Sequence, residues 1–408
     1  MGIGYLKVNV YAENIAQPIE NATIEVYVNN ILKTFYTNSF GQSEKILIAC
    51  PDKIYSLDAN YNKKVYGTCN IRIRKQGLQT EIIEGIQIFD GCNSIQNVFL
   101  ETHFNVKEKH FFIKEHTLWE DYPPALFYNG GYLREDFNLS ETIIPEFLIV
   151  HDGLPNNNSV ANYVVPFIDY IKNVACNEIY PTWHAEGIKA TIHAITSFVL
   201  NRIQSRRYHK KGYNFTVTSS TIYDLCYIHN RNIFEEISRI VDENFYKYIK
   251  ENNIEGAFFA RINDGIIIKN AEWLNKWELN NLANRDYDSL KIINHFYGDD
   301  KTIENADAIK NISDYPFGRD LEMEMRGEKI KSIQLKLNII NSSYFDIPKI
   351  NNLNGVFDES TFQSVKIFQT IFNLNPSGKI DFITLYTIEK IYNAVMKNIK
   401  FSSMVTDK

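Results

Sequence analysis

The chain has 408 residues, 44% hydrophobic and 13% aromatic, with a formal net charge of −6. That length exceeds one ordinary domain and supplies enough apolar material for real cores. Lys and Arg are interspersed with a slight excess of Asp and Glu, so no basic field exists to hold nucleic acid. The five cysteines are scattered and form no CxxC pair, which excludes a disulfide framework and points to synthesis in a reducing compartment. Cys226 and His229 have no second ligand pair at zinc spacing, so no metal and no other cofactor is expected. The first residues hold no apolar core of secretory type, and no apolar run reaches membrane-spanning length.

Residues 1–104 read as strands. Leu6, Val8 and Val10 alternate with Lys7, Asn9 and Tyr11, and Ala22–Val28 repeats the pattern. Turn chemistry at Asn38–Gln42 precedes Ile46–Ile48, and further β-type runs lie at 64–69, 81–89 and 95–100. This predicts an all-β sandwich with no catalytic cluster. Residues 105–145 carry charged residues around Tyr122-Pro123-Pro124 and Asn129-Gly130-Gly131, which predicts a linker open to a protease.

Residues 146–310 change to a helical period. Ile188, Ile192, Ile195, Val199 and Ile203 form one stripe; a second helix is predicted to carry Ile233, Ile237, Ile240, Val241, Phe245 and Tyr248. Strand-like runs at 256–262 and 266–268 make this an α+β domain. Residues 315–398 predict a three-helix unit: Ile330, Ile333, Leu337 and Ile340 form one stripe. Asp358 is placed to cap a helix burying Phe362, Val365, Phe368 and Phe372, and Asp381 to cap the last.

The sharpest chemical candidate is Glu178, set in Asn177-Glu178-Ile179-Tyr180-Pro181 at an expected bend ahead of the first helix. Desolvation by bulky neighbours would raise its pKa and hold a proton near neutral pH, as protonation of a glycosidic oxygen requires. The same spacing suits a surface Glu before a turn. Tyr180 and Trp183 have faces that suit pyranose rings and equally suit a core. Glu186 reads as a solvated residue at a helix start.

Asn354-Gly355-Val356-Phe357-Asp358, with Thr361 and Val365–Gln369, then Gly378-Lys379-Ile380-Asp381, resembles the type-1 peptidoglycan-binding domain, and Ile333–Asn338 matches its first helix. Asn354 and Asp358 stand where that pattern has Asp and Gly. The central segment resembles the lytic-transglycosylase domain of the stage II sporulation protein D type. It does so through Ile144–Phe147, Tyr170–Trp183, Lys211–Phe215, Phe234–Asp242 and Asn294–Asp300. The order of parts, together with Gly4–Val8 near the start, is similar to the clostridial spore cortex-lytic enzyme family over nearly the whole chain.

That resemblance implies a proenzyme whose 1–104 region is removed by an activating serine protease cutting in the linker. It also implies location in the spore cortex or coat region, and cortex breakdown at germination. Glu178 would be the catalytic acid/base of a non-hydrolytic cleavage between N-acetylmuramic acid and N-acetylglucosamine, giving 1,6-anhydro-muramyl products. Substrate contacts would fall to Tyr180, Trp183, Tyr223, Asp224, Lys276 and Trp277, with cortex glycan strands as the partner. Trp273–Ala283 departs from the family's "GLSQWGTxDLA" stretch: Lys276 takes the Gln position, and Trp273 and Glu278 take Gly positions. Ile222 and Leu225 replace amides near Tyr223. These changes support an alternative expectation, a non-catalytic peptidoglycan-binding relative with a degenerate site.

Overall fold

Leu6, Val8 and Val10 point to one side of strand β1 (Gly2–Ala12) and are fully buried, so the period-2 pattern of the sequence becomes one face of a sheet. The computed structural model describes residues 1–12, 14–29, 31–102, 108–115, 142–263, 273–309 and 320–406. Strands β2 (Thr23–Val28), β3 (Ile31–Tyr36), β4 (Ile46–Cys50), β5 (Gly67–Arg74), β6 (Thr80–Ile88) and β7 (Asn93–Leu100) follow. β1 lies between antiparallel β4 and parallel β7, while β3, β2, β5 and β6 form the facing sheet. Ile24, Val26, Ile71, Ile73 and Ile83 fill the space between the layers against the β1 side chains.

This β-rich region runs past residue 104. Glu108–Phe112 forms β8, which pairs in parallel with β6, and Ile113 is buried in the same core. The exposed edge of β6 requires a backbone partner, and the charged segment supplies it before the Pro and Gly chemistry begins. The expected linker tract at 116–141 lies outside the described residues.

The central region begins with β9 (Ile143–Ile144), β10 (Phe147–His151) and β11 (Asn162–Pro166). Helices α1 (Phe167–Glu178) and α2 (Ala185–Ser205) follow, then β12 (Val217–Thr218) beside β10, β13 (Ile233–Phe234) and α3 (Glu235–Asn244). Next come β14 (Lys247–Glu251), β15 (Ile262–Asn263), β16 (Leu274–Asn275), α4 (Lys276–Ala283), α5 (Ser289–Tyr297), β17 (Lys301–Asn305) and β18 (Ala308–Ile309). The single helix expected to carry Ile233 through Tyr248 is broken at both ends. Ile233 belongs to β13, and Tyr248 lies in β14, whose ladder with β17 recruits the chain once Asn244 turns back onto Ile240 O. Of the run at 256–262 only Ile262 is in a strand, and 266–268 lies outside the described residues.

The C-terminal region is helical: α6 (Glu328–Ile340), α7 (Glu359–Ile371) and α8 (Phe382–Thr406). Among the described residues no helix is long and apolar enough to cross a membrane.

The N-terminal sheets are not a bead on a string. β13 of the central region adds to β7, giving the order β4-β1-β7-β13. Around this shared edge a buried polar network closes: Asn232 Oδ1 accepts from Gln87 N at 3.1 Å, and Asn232 Nδ2 donates to Gln87 O at 3.0 Å. Arg231 reaches Gln87 Oε1 at 3.1 Å and also bonds Asn177. Separation would leave these buried groups unpaired, at about 1–3 kcal/mol each. Cutting the chain between residues 115 and 142 should therefore leave the two fragments eluting together on size exclusion without denaturant. Elution as separate species would contradict the shared sheet.

Candidate functional site

Glu178 is the last residue of α1, not a residue ahead of the first helix. Phe167, Tyr170, Ile171, Val174 and Ala175 bury the helix and turn Glu178 inward, where its exposure is 0%. Its Oε2 meets Lys276 Nζ at 2.5 Å, and its Oε1 accepts from the Cys226 backbone N–H at 3.2 Å. Lys276 is also wholly buried. It opens α4 behind the Asn275 cap, an end where the helix dipole disfavours a cation, so Glu178 supplies the charge that makes the position tenable. A proton donor needs a neutral carboxyl, and an ammonium in contact favours the ionised one.

The aromatic residues assigned to sugar contacts pack on one another in a buried core. Tyr180 lies edge-on to Trp183 at 5.5 Å, Trp183 lies 5.0 Å from Trp277, and Phe89 of the sandwich packs 5.3 Å from Tyr180. All are buried. A 3₁₀ turn at Lys53–Leu57 covers the group: Trp183 Nε1 donates to Ser56 O at 2.9 Å, and the Ser56 and Thr182 hydroxyls meet at 2.7 Å. Trp273 is buried too, 5.0 Å from the Arg261 guanidinium.

Asp224 is buried and used up by the protein. It accepts from Arg202 Nε, Thr218 N and Thr218 Oγ1, each at 2.8 Å, and from Tyr208 OH at 2.5 Å. Tyr223 is the one assigned contact residue on the surface, at 38% exposure. Glu186 accepts from Ser289 N at 2.8 Å and pairs with Lys189, so it fastens α2 to α5. The structure thus brings Glu178, Tyr180, Trp183, Lys276 and Trp277 together in a packed interior, and leaves Tyr223 and Asp224 in a separate cluster about Arg202.

The C-terminal unit is built by one device used twice. Gln334 of α6 accepts from Gly355 N at 3.0 Å and donates to Val356 O and Thr361 Oγ1. Gln369 of α7 accepts from Gly378 N at 2.8 Å and donates to Lys379 O and Thr384 Oγ1. Asp358 and Asp381 then cap the following helices through Thr361 N and Thr384 N. Both glycines sit at positive φ, 72° and 73°, and a Cβ at Gly378 would strike the Phe362 ring. The matching Gly-x-x-Asp-x-x-Thr spacing, Gly355 to Thr361 and Gly378 to Thr384, is the sequence signal for this repeat.

One large cleft, about 710 Å³, lies where the three regions meet. Its floor is the outer face of β1 and β7, where Asn9 faces Asn97 and Tyr11 faces Phe99. α1 and α3 form one wall, and the Ile371–Leu374 segment with α8 forms the other. Sequence reasoning missed this site because no motif marks a surface assembled from three regions. At its edge the Glu81 carboxyl is buried, and burial pushes it up to about 7; the Glu101 charge adds to the rise, while Lys109 and the Phe99 backbone amide oppose it. The stability this group contributes is present below about 4.5 and is lost as pH rises through about 7. Glu81→Gln should accordingly match the parent at pH 4 and exceed it at pH 8, by up to about 3 kcal/mol, in urea denaturation.

The helical C-terminal unit, with its paired Gln–Gly clasps, puts the chain in the class of multidomain proteins bearing a small helical binding module. Residues 326–388 match the family described as "Putative peptidoglycan binding domain". The chain thus carries a type-1 peptidoglycan-binding domain, which points to the cell wall and to peptidoglycan as its partner. No curated protein was found to match the chain.

Proposed function

We propose that this protein is a non-catalytic peptidoglycan-binding protein, in which a transglycosylase-like central region serves as scaffold. One observation carries the reading: Glu178 has no exposed surface and is held by the equally buried Lys276 at 2.5 Å. A general acid must reach the glycosidic oxygen, directly or through one water. Here the position is filled by an ammonium that arrives with the substitution in Trp273–Ala283. In a sedimentation assay, the full chain should be retained on purified cortex peptidoglycan while releasing no anhydro-muropeptides detectable by mass spectrometry. Release of such products by the parent, abolished in Glu178→Gln, would overturn it.

A second reading rests on the Ser56 contact with Trp183. The 3₁₀ turn of the N-terminal region lies over the aromatic group, as a pro-segment would over a latent lytic transglycosylase of the spore cortex. Under that reading, a chain beginning at residue 142 releases anhydro-muropeptides and the full chain does not. An inactive truncated chain that still binds cortex leaves only the first reading.

A further inference from the structure

β3 is an end strand of the sheet ordered β3-β2-β5-β6-β8, and its outer edge is open. Thr37 shows which way the backbone faces: Thr37 N donates to Ala22 O at 3.2 Å, and Thr37 O accepts from Asn21 N at 2.9 Å. Backbone groups alternate in direction along a strand. Ile31, Lys33 and Phe35 therefore turn theirs to β2, while the N–H and C=O groups of Leu32, Thr34 and Tyr36 turn outward. Among the described residues nothing bonds to these outward groups.

The side chains at the same positions are uncovered and largely apolar. Leu32 is 49% exposed and Tyr36 is 61% exposed; Tyr27, opposite Leu32 on β2, is exposed as well. The strand holds no proline, its register with β2 is unbroken, and its single charge is Lys33. A flat, apolar, unpaired edge is a template for another strand.

A second copy of β3 fits that template. A two-fold axis normal to the sheet brings the two strands together antiparallel, with one residue facing itself across the axis. Centring on Lys33 would set two ammonium groups opposite each other, which is unfavourable. Centring on Leu32 or Phe35 runs one end of each strand past its mate. Centring on Thr34 opposes no like charges. Leu32 then meets Tyr36 of the second copy, Lys33 meets its Phe35, and every outward N–H and C=O finds a partner. Tyr27, Leu32 and Tyr36 of the second copy form one apolar row across the joined sheets, and the axis repeats it. Glu25, opposite Thr34 on β2, is already paired with Arg74.

We infer that this protein dimerises by pairing β3 with β3 of a second copy, about a two-fold axis at Thr34. The dimer carries two peptidoglycan-binding domains. On a polymer with repeating sites the second engagement is intramolecular, so retention gains from pairing. That gain rests on the wall-binding reading above; the pairing itself does not.

The test is sedimentation velocity of the full chain from about 1 to about 100 µM, with retention on insoluble peptidoglycan read in parallel. The parent should pass from monomer to dimer over that range. Thr34→Glu and Thr34→Lys each set like charges across the axis, and each alone should weaken self-association about fivefold or more. An equimolar mixture of the two sets a carboxylate opposite an ammonium and should restore the dimer. Thr34 is exposed, so both variants should melt as the parent does. A parent that stays monomeric, a variant that dimerises as well as the parent, or a mixture that stays monomeric overturns the proposal. A monomeric parent that peptidoglycan retains leaves the wall-binding reading standing. A dimeric parent that peptidoglycan does not retain overturns that reading and leaves the pairing.

Discussion

Replacing Lys276 by Met should destabilise the chain by about 3–5 kcal/mol, and replacing Glu178 by Met should cost a similar amount, because each leaves the other's charge buried without its counter-charge. The double variant Glu178→Met, Lys276→Met should recover most of that loss, since a buried ion pair exchanged for hydrocarbon of similar size is often neutral or stabilising. Urea denaturation of the four proteins gives the coupling directly. The neighbouring chain is apolar and buried: Tyr180, two residues after Glu178, and Trp277, next to Lys276, both pack with Trp183. The Cys226 backbone N–H would lose its acceptor, so recovery should fall short by about 1 kcal/mol.

The cycle also bears on function. A scaffold role predicts that the double variant keeps peptidoglycan retention at the parental level. A latent catalytic role predicts a fold that tolerates the double change and a truncated chain that no longer releases product. A coupling near zero would mean that the two side chains do not share a buried charge pair in solution, and the argument against catalysis would fail with it.

The elements most legible in the sequence were those set by local chemistry. Period-2 alternation in Gly2–Ala12 and the Asp358 cap of α7 were readable because neighbouring residues decide them. The C-terminal unit was readable because its glycines and caps fall at fixed spacings. What escaped was decided by partners distant in sequence. Ile233 has a helix-compatible period, yet β7 pairs it as a strand; Tyr248 continues an apolar stripe, yet β17 takes it. Glu178 is legible in the sequence as a candidate acid, and Lys276 only as one residue of a separate stretch. Their meeting at 2.5 Å joins residues ninety-eight positions apart, and no spacing rule reveals it. The bulky neighbours that suggested a raised pKa are present, but they enclose a cation as well. The same limit hid the cleft, whose floor and walls come from segments with no common motif.

Asp224→Ala should be the other severe change, lowering stability by about 3–5 kcal/mol, although the resemblance implies a substrate contact at this position. Among the described residues the carboxylate is the only acid paired with Arg202, whose guanidinium lies at the edge of the stacked Phe198 and Phe259 rings, 4.8 Å and 4.6 Å from their centroids. Without Asp224 that cation keeps its bond to Tyr223 O at 2.8 Å but loses its counter-charge in a buried setting. The Thr218 backbone N–H and the Tyr208 hydroxyl lose their acceptor at the same time. Burial pushes the Tyr208 phenol up, with the Asp224 charge adding to the rise, so Tyr208 stays protonated and donates at any ordinary pH. Asp224→Asn should fall between parent and Ala: its oxygen can still accept from Thr218 or Tyr208, but its amide presents a donor to Arg202 or leaves one bond unmade. Adding Arg202→Met to Asp224→Ala should restore part of the loss, because the buried cation goes with its partner. The decisive readout is the urea midpoint set against retention on peptidoglycan. A structural hub moves the midpoint strongly and leaves affinity in the folded protein intact. A substrate residue does the reverse, and an Asp224→Ala variant with parental stability and weakened glycan binding would return the site to the Tyr223 surface.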